Sequence, residues 1–314
     1  LQKSTAKQSR ATKPRLSRVS RVQKSITRHI VKEPSWLWLL IGVLVLFIVW
    51  YVWAWLNPST ADLDSFHATP YNKVHAQIKP SAVPSGVTPT NVRSLYKLKP
   101  TDLGSGTIAI VNAYDHPNIE ADLGVFNGQF GLRACTTGNG CFEKVKMASN
   151  VPVSPDWAIE TSLDVQWAHA IAPNAKILLV EAKSNSGTDL IAAVDYARKR
   201  SDVVAVSMSW GGDEFASEAR YETNFTSATA AFFAASGDNG TGTSWPAASA
   251  NVIGVGGTSV KLNPQGQIVS ETAWSGSGGG RSVHIGQPSY QATYNVPQPH
   301  RKRALPAVSY NAHP

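Results

Sequence analysis

The chain has 314 residues, of which 42% are hydrophobic and 16% charged, so it can hold two average domains and is too apolar to be disordered throughout. Its two cysteines exclude a disulfide-dense miniprotein and a four-cysteine zinc module. The net charge of +8 is uneven: residues 1–34 hold ten Lys or Arg and one acid, whereas the rest holds 19 basic and 20 acidic side chains. The basic character therefore belongs to an N-terminal tail.

Directly after the tail, residues 36–56 form a run of 21 residues without a charge. As a helix this run spans about 30 Å, the thickness of the hydrocarbon core of a bilayer. Tryptophans mark both ends, as at membrane interfaces: Trp36, Trp38, Trp50, Trp53 and Trp55. A signal peptide would be shorter and end in a small-residue cleavage site, and a buried core helix is the other alternative. We predict one transmembrane helix over residues 35–56.

The positive-inside rule places the basic tail, residues 1–34, in the cytoplasm and everything after Leu56 outside the cell. The chain is therefore expected in the cell membrane, crossing it once. The tail can also contact anionic lipid. We do not expect nucleic acid as a partner, because the tail has no interleaved aromatic residues and no folded nucleic-acid-binding domain beside it.

Residues 57–90 are polar and rich in proline, which predicts an extended extracellular stalk. From residue 91 to 314, apolar strands alternate with helical patterns. This alternation predicts an α/β domain with a doubly wound, mainly parallel sheet and helices on both faces. The predicted strands are Gly106–Asn112, Lys176–Ala182, Val203–Ser207, Ala230–Ala235 and Asn251–Val255, and the helices are Asn118–Phe130, Pro155–Ala172 and Thr188–Arg200, with a further helical pattern before residue 230.

Two other segments are turn-rich. Cys135 and Cys141 flank Thr-Thr-Gly-Asn-Gly, and outside the cell they favour one disulfide that closes a small loop. Metal binding is the alternative, although the neighbourhood offers few further ligands. The stretch 275–280 (SGSGGG) predicts a flexible loop. It is a weak candidate for a phosphate-binding loop, because no strand and helix frame it.

Acidic side chains mark two candidate sites. Glu160 and Asp164 are four residues apart on the helix that begins at the Ser154-Pro155 signal, so both project from one face. The same face of the helix continues with apolar residues, so both acids would be buried with it. Burial of two carboxylates costs free energy unless they are hydrogen-bonded or share a proton. The alternative places both at the exposed margin of the helix. Asp238 lies in Ser-Gly-Asp-Asn-Gly straight after an apolar strand, either as a site residue or in an ordinary turn.

Seven segments occur in an order that resembles the sedolisin family of serine-carboxyl peptidases, which have a subtilisin-like fold. The resemblance runs from about residue 88 to residue 314. The segments are Tyr114-Asp115 with Pro117-Asn118, Glu160-Thr-Ser-Leu-Asp164, Ala170-Ile-Ala-Pro173, Ser207-Met-Ser-Trp-Gly-Gly212, Ala234-Ala-Ser-Gly-Asp-Asn-Gly240, Pro246-Ala-Ala-Ser249 and Gly256-Gly-Thr258.

The resemblance implies a role for each matching residue. Glu160 is similar to the general base of the family, Asp164 to the acid that orients it, and Asp238 to the aspartate of the oxyanion hole. Ser209, Trp210 and Gly211 resemble the strand that pairs with substrate. The chemistry is coherent in acid, where histidine is already protonated but a carboxylate can still accept a proton. His169, off the Glu160 stripe, is predicted to be a packing residue.

The chain also departs from the family. Gly257-Thr258-Ser259-Val260 is similar to the nucleophile motif, but its place after Pro246–Ser249 corresponds to a turn without a catalytic role, so we reject Ser259. The nucleophile segment is expected beyond Pro314, in a chain that begins with Leu1 and so looks like a fragment. The calcium site that the family builds near its C-terminus would then be missing as well, and no cofactor is expected in this chain.

Further departures bear on activity. Ala307 and His313 stand where related sequences often carry aspartates, and His116 where another is common. Only the stalk stands where the family has a large propeptide.

The resemblance implies a membrane-anchored endopeptidase with an acidic optimum, acting on peptides or proteins, whose nucleophile is absent from this chain. One alternative is a pseudopeptidase that binds peptides at the cell surface without cutting. A nucleotide-binding surface domain is a third possibility, and it rests only on fold analogy and glycine-rich loops.

Overall fold

The computed structural model describes residues 35–56, 61–71, 86–296 and 301–313. The basic tail predicted over residues 1–34 and most of the predicted stalk lie outside these ranges. The chain divides into two compact units, Leu1–Asn57 and Pro58–Pro314. Each unit is described by itself below.

The first unit contains helix α1, Ser35–Leu56. Its side chains are described from residue 39 to residue 53, and all of these are exposed. Within the described part of the chain, no helix combines the length and the hydropathy of a membrane span. The transmembrane helix predicted over residues 35–56 is therefore not confirmed.

The second unit contains six α-helices, one 3₁₀ helix and thirteen strands in its described residues. The helices are α2 (Ala61–Ser65), α3 (Pro89–Leu95), α4 (Ile119–Phe130), α5 (Pro155–Ile171), α6 (Gly187–Arg198), the 3₁₀ helix Glu218–Phe225 and α7 (Ser289–Thr293). The strands are β1 (Thr69–Pro70), β2 (Thr107–Ala113), β3 (Phe142–Lys146), β4 (Lys176–Ala182), β5 (Val203–Met208), β6 (Trp210–Asp213), β7 (Ala231–Ala235), β8 (Ser244–Trp245), β9 (Val252–Leu262), β10 (Ile268–Ala273), β11 (Gly280–Gly286), β12 (Lys302–Leu305) and β13 (Val308–His313).

The central sheet has eight strands. Seven follow the order β10-β9-β7-β5-β2-β4-β3, and β13 also pairs with β9. All pairs are parallel except β9 with the edge strand β10. From β2 the chain runs to the edge strand β3 and returns to β4 on one side, and then runs outward through β5, β7 and β9 on the other, which confirms the predicted doubly wound, mainly parallel sheet.

Side chains of β2 alternate between the two faces of the sheet, as the period of a strand requires. Ala109 and Val111 belong to a buried cluster that includes Leu190 of α6, whereas Ile110 packs with residues of α4 and α5 such as Leu123 and Val165. Helices therefore cover both faces of the central sheet, and this explains why the sequences of the central strands are continuously apolar.

Two predicted segments differ from the structure. The region predicted as an extended stalk, residues 57–90, contains α2, β1 and the first two residues of α3, because Leu63 and Phe66 are buried against the domain. The helical pattern predicted before residue 230 corresponds to the 3₁₀ helix Glu218–Phe225, and strand β6 precedes it. Burial in the tertiary structure overrides local composition in both cases.

Leu123→Ala tests the packing of α4 on the sheet. Leu123 is fully buried, so we expect a loss of about 2–5 kcal/mol in the free energy of unfolding, measured by urea denaturation. Val125→Ala on the same helix is the control, because Val125 is 75% exposed. Equal losses in the two variants would show that α4 does not pack as described.

Candidate active site

Helix α5 presents the first two candidate residues. It begins after Ser154, with Pro155 in its first turn, and ends at Ile171 before Pro173. Ser154 occupies the N-cap with extended backbone, but its side chain makes no capping hydrogen bond. The predicted bounds are therefore nearly right, although proline rather than a side-chain cap accounts for the start.

Of the three carboxylates of α5, the two candidates Glu160 and Asp164 face inward, whereas Asp156 in the first turn is exposed. Glu160 is 1% exposed, and Asp164 is half-buried. The Ser209 hydroxyl donates to Asp164 Oδ1 at 2.6 Å, and Asn112 Nδ2 donates to Asp164 Oδ2 at 2.9 Å. The alternative in which these acids lie at an exposed helix margin does not describe this arrangement.

Burial raises the pKa of Asp164 from 3.8 to about 6, although the hydrogen bonds from Ser209 and Asn112 act in the opposite direction. The carboxyl of Asp164 is therefore mostly protonated in acid solution. A protonated carboxyl can donate one hydrogen bond, which an ionised one cannot.

Asn112 is a site residue that sequence reasoning missed. It lies near the carboxyl end of β2, is fully buried, and also donates to the Thr161 hydroxyl at 3.2 Å. The available signal was a polar residue near the end of an apolar parallel strand, which is where α/β folds place ligands.

The three residues predicted to pair with substrate, Ser209–Gly211, differ in what their side chains and backbone contact. Trp210 is fully buried, and its indole N–H donates to the Val111 carbonyl at 2.8 Å, so its side chain belongs to the core. Ser209 turns its hydroxyl to Asp164. Strand β6, which contains Trp210 and Gly211, pairs with β8 on one edge and with β1 on the other.

Asp238 lies half-buried in the loop that follows β7. A neighbouring loop holds this turn: the Ser236 hydroxyl donates to the Gly278 carbonyl at 2.8 Å, and Gly278 N donates to the Gly237 carbonyl at 2.6 Å. A Cβ on Gly278 would lie 2.1 Å from the Ser236 carbonyl oxygen. The stretch 275–280, predicted as a flexible loop, is therefore packed against the Asp238 turn.

Strand β13 carries Tyr310, a residue that is 55% exposed and whose pKa responds to the charges of both carboxylates. Desolvation raises the pKa of Tyr310, and the negative charges of Asp164 and Glu160 raise it further. Tyr310 pairs with Gly257 of β9. Ser259, two residues along β9, pairs with Thr272 of β10 and with β13, so it lies within the sheet ladder.

A histidine and a serine elsewhere do not form a conventional triad. His116 Nε2 lies 2.8 Å from the Ser162 hydroxyl and 3.3 Å from Asp122, so one nitrogen faces both groups. His116 Nδ1 accepts from Asn118 N at 3.3 Å. A triad requires the acid on the nitrogen opposite the serine. His169 is fully buried, and its Nε2 lies 2.9 Å from the Arg133 carbonyl oxygen.

A second group of acids is held in ion pairs. Lys144 and Lys146 each lie 2.6 Å from Asp115, and Lys144 lies 3.2 Å from the buried Glu181. Burial raises the pKa of Glu181 to about 7. These charges compensate one another, as buried ionic groups require, and this favours a structural role.

Cys135 and Cys141 form a disulfide in the structure. Together with His169 they are the described group whose atoms lie close enough to hold a metal. Disulfide sulfurs are not thiolates, so this group does not match a metal site with thiolate ligands. Calcium prefers several oxygen ligands, which this group lacks.

The sequence of this chain is similar to those of known peptidases. Residues 151–300 match the Subtilase family. Kumamolisin from Bacillus sp. (strain MN-32) is 32% identical in an alignment 273 residues long, which covers 74% of this chain and 47% of kumamolisin. Sedolisin from Pseudomonas sp. (strain 101) is 25% identical in an alignment 267 residues long, which covers 72% of this chain and 44% of sedolisin. The chain thus spans about half the length of these curated relatives.

The fold has a match among solved structures. Pseudomonas sedolisin, a serine-carboxyl proteinase complexed with two molecules of pseudo-iodotyrostatin, matches with a TM-score of 0.60 and 24% identity. The match covers 73% of this chain and 71% of the sedolisin chain. The similarity supports a subtilisin-like α/β fold.

Asp164→Asn tests the electrostatics of the site. Because the pKa of Asp164 is raised from 3.8 to about 6 on folding, its contribution to stability is fully present below the lower value and is lost as pH rises through about 6. The wild-type free energy of unfolding should therefore fall over this range relative to that of Asp164→Asn, measured by urea denaturation. The exposed Asp102→Asn is the control and should follow the wild-type profile. Parallel profiles for wild type and Asp164→Asn would contradict the assignment.

Proposed function

This chain belongs to the sedolisin family, and we propose from that membership that the full-length protein is a serine-carboxyl endopeptidase that acts in acid. The observation that carries the proposal is the inward-facing pair on α5, with Asp164 hydrogen-bonded by Ser209 and Asn112. The relatives kumamolisin and sedolisin are serine-type peptidases, and the substrate of this protein is proposed to be a peptide or protein.

In the proposed mechanism, Glu160 accepts the proton of a serine nucleophile as that serine attacks the peptide carbonyl. Asp164, protonated in acid because its pKa is about 6, donates a hydrogen bond that orients Glu160. Asp238, in its protonated form, donates to the oxyanion of the tetrahedral intermediate. Glu160 then returns the proton to the leaving amine as the C–N bond breaks and an acyl-enzyme forms. A water molecule that gives its proton to Glu160 then attacks the acyl-enzyme, which releases the acid product and returns the proton to the serine.

The pH range follows from these roles. The base must be ionised, while Asp238 must carry a proton. The carboxyl groups of Asp and Glu titrate near ~4 in unstructured peptides. An ionised base and a protonated Asp238 therefore coexist only in acid, so the activity should show a bell-shaped dependence on pH. Histidine is protonated in that range and could not serve as the base.

The nucleophile is proposed to lie outside this chain, and Ser259 is proposed not to act as one. Its place inside β9, paired with β10 and β13, supports this proposal. The family resemblance predicts calcium in the full-length domain. We assign it no ligands among these residues, and no step of the mechanism uses it.

A pseudopeptidase is the second candidate function. The segment from Ser209 into β6 supports it, because its backbone pairs with another extended segment, and such pairing can bind a peptide without any nucleophile. Both the endopeptidase and the pseudopeptidase would bind peptides, and only the endopeptidase would cleave them.

Hydrolysis of a peptide library by the protein extended to its natural stop codon tests the mechanism. We expect turnover in acid, a fall of about 10²–10⁴-fold in kcat for Glu160→Gln, and a fall of about 10²–10³-fold for Asp238→Ala. The 314-residue chain itself should not cleave. Ser259→Ala and the exposed Asp102→Asn are the controls and should retain full activity.

Two outcomes would contradict the mechanism. Cleavage by the 314-residue chain that Ser259→Ala abolishes would identify Ser259 as the nucleophile. Peptide binding by the extended protein without turnover at any pH would favour the pseudopeptidase.

Membrane attachment is proposed from the sequence alone. The uncharged run 36–56 and the basic tail 1–34 support a single span in the cell membrane with the tail in the cytoplasm. The peptidase domain would then act outside the cell.

Fractionation of cells that express the chain tests this attachment. We expect wild type to stay with membranes after washing in high salt and alkali. The double variant Leu44→Arg and Val45→Arg should be released, because each arginine at the centre of a span costs about 2.5–3.5 kcal/mol. The control adds the same charges in the tail, with Ser4→Arg and Ser9→Arg, and should remain bound. Release of wild type by the wash would refute the span.

A further inference from the structure

Three side chains from separate parts of the fold meet beside the disulfide. Cys135 lies in the loop after α4, Cys141 directly before β3, and His169 in the last turn of α5. The two sulfurs and one ring nitrogen of His169 lie within 4.8 Å of one another, and all three residues are buried. Thiolate sulfur and imidazole nitrogen are the ligands that Zn²⁺ prefers in proteins, so the fold adds a third ligand to the two that the sequence shows.

The hydrogen bonding of His169 is that of a metal ligand. Its Nε2 lies 2.9 Å from the Arg133 carbonyl oxygen, which can only accept, so Nε2 carries a hydrogen. Its Nδ1 is buried and has no hydrogen-bond partner among the described residues. Because burial lowers the pKa of His169, the ring is neutral and Nδ1 keeps its lone pair. Histidines that bind metals commonly donate their other ring N–H to a backbone carbonyl in this way.

Hydrogen bonds hold the loop between the cysteines independently of the S–S bond. Asn139 Oδ1 accepts from Thr136 N and from Cys141 N, in both cases at 3.0 Å. Asn139 Nδ2 donates to the Ala134 carbonyl at 3.0 Å. The backbone of Cys141 is also fixed to β4, because Ile177 N donates to its carbonyl at 2.8 Å. These contacts would keep the two thiols close together after reduction.

The oxidation state of the sulfurs decides whether they can bind a metal. In the disulfide they are bonded to each other and are not ligands. A dithiol reductant breaks this bond: the reductant is oxidised to its own disulfide, and two electrons and two protons pass to the cysteine sulfurs. Zinc then displaces the two thiol protons as two Zn–S bonds form. Reducing conditions exist in the cytosol, where thiols persist before a chain reaches an oxidising compartment.

We propose that Cys135, Cys141 and His169 bind one Zn²⁺ ion when the disulfide is reduced, so that the metal and the disulfide are alternative clamps on the same loop. Zinc with three protein ligands keeps a fourth position for water. Residues 137–140 of the loop are exposed, which gives the ion and the water a path to the buried ligands. The ion would tie this loop to α5, the helix that carries both candidate carboxylates.

Cobalt binding to the whole chain tests the proposal, because Co²⁺ replaces Zn²⁺ in such sites and reports its ligands by absorption. The chain is reduced with a dithiol, separated from it without oxygen, and titrated with Co²⁺. We expect one Co²⁺ per chain with a thiolate-to-cobalt charge-transfer band, which one equivalent of Zn²⁺ abolishes. The oxidised chain, treated in the same way, should show no band. Absence of the band from the reduced chain would overturn the proposal.

Two histidine variants separate a built site from binding by the thiols alone. His169→Ala removes a direct ligand, so the affinity of the reduced chain for Zn²⁺ should fall by more than the about 10–100-fold that loss of an outer partner costs. His284→Ala is the matched control, because His284 is half-buried on β11, and it should bind as wild type. Equal affinity of His169→Ala and wild type would overturn the proposal.

Thermal unfolding of the unaltered chain does not depend on the folding of a variant. An ion that binds the folded form raises the unfolding midpoint, whereas an ion that binds the thiols of the unfolded chain lowers it. We expect Zn²⁺ to raise the midpoint of the reduced chain and to leave that of the oxidised chain unchanged. A lowered or unchanged midpoint of the reduced chain would overturn the proposal. Neither measurement involves peptide cleavage, so this inference and the proposed function can fail separately.

Discussion

The hydrogen bond between the Ser209 hydroxyl and Asp164 is the contact on which the rest of the site depends. It joins α5 to the end of β5, and the bond from Asn112 joins the same carboxyl to β2. Three elements of the fold therefore fix one carboxyl group at the carboxyl ends of parallel strands. A buried carboxyl that is held in this way can keep its proton in mild acid, because burial disfavours the charge more than two donors favour it.

Ser209 also connects the carboxyl to the cleft. Its side chain donates to Asp164, while its carbonyl accepts from Tyr71 N. In the proposed function, a peptide that pairs with the Ser209 carbonyl would contact a residue already fixed by Asp164. Binding and proton transfer would thus share one rigid residue, so that a shift in one would misalign the other.

The sequence predicts the sheet well, because a parallel sheet covered on both faces requires apolar runs that composition alone reveals. It also predicts that Glu160 and Asp164 share a face, since the helical period fixes their direction. It does not predict Asn112 as a site residue or β1 as a strand. Asn112 matters through contacts from β2 to helix α5, and β1 lies in a segment whose prolines suggest a stalk. The position of β1 depends on a pairing with β6, about 140 residues away in sequence.

The two histidines near the site show why carboxyl groups remain the candidates for proton transfer. His116 uses Nδ1 as an acceptor and has a lowered pKa, first because of burial. Burial also lowers the pKa of His169, whose Nε2 lies against the Arg133 carbonyl. Neither imidazole contacts Asp164, and both are held by backbone groups. The proposed activity in acid therefore divides the roles among carboxyl groups, and their different burial is the property that can give each one a different proton affinity.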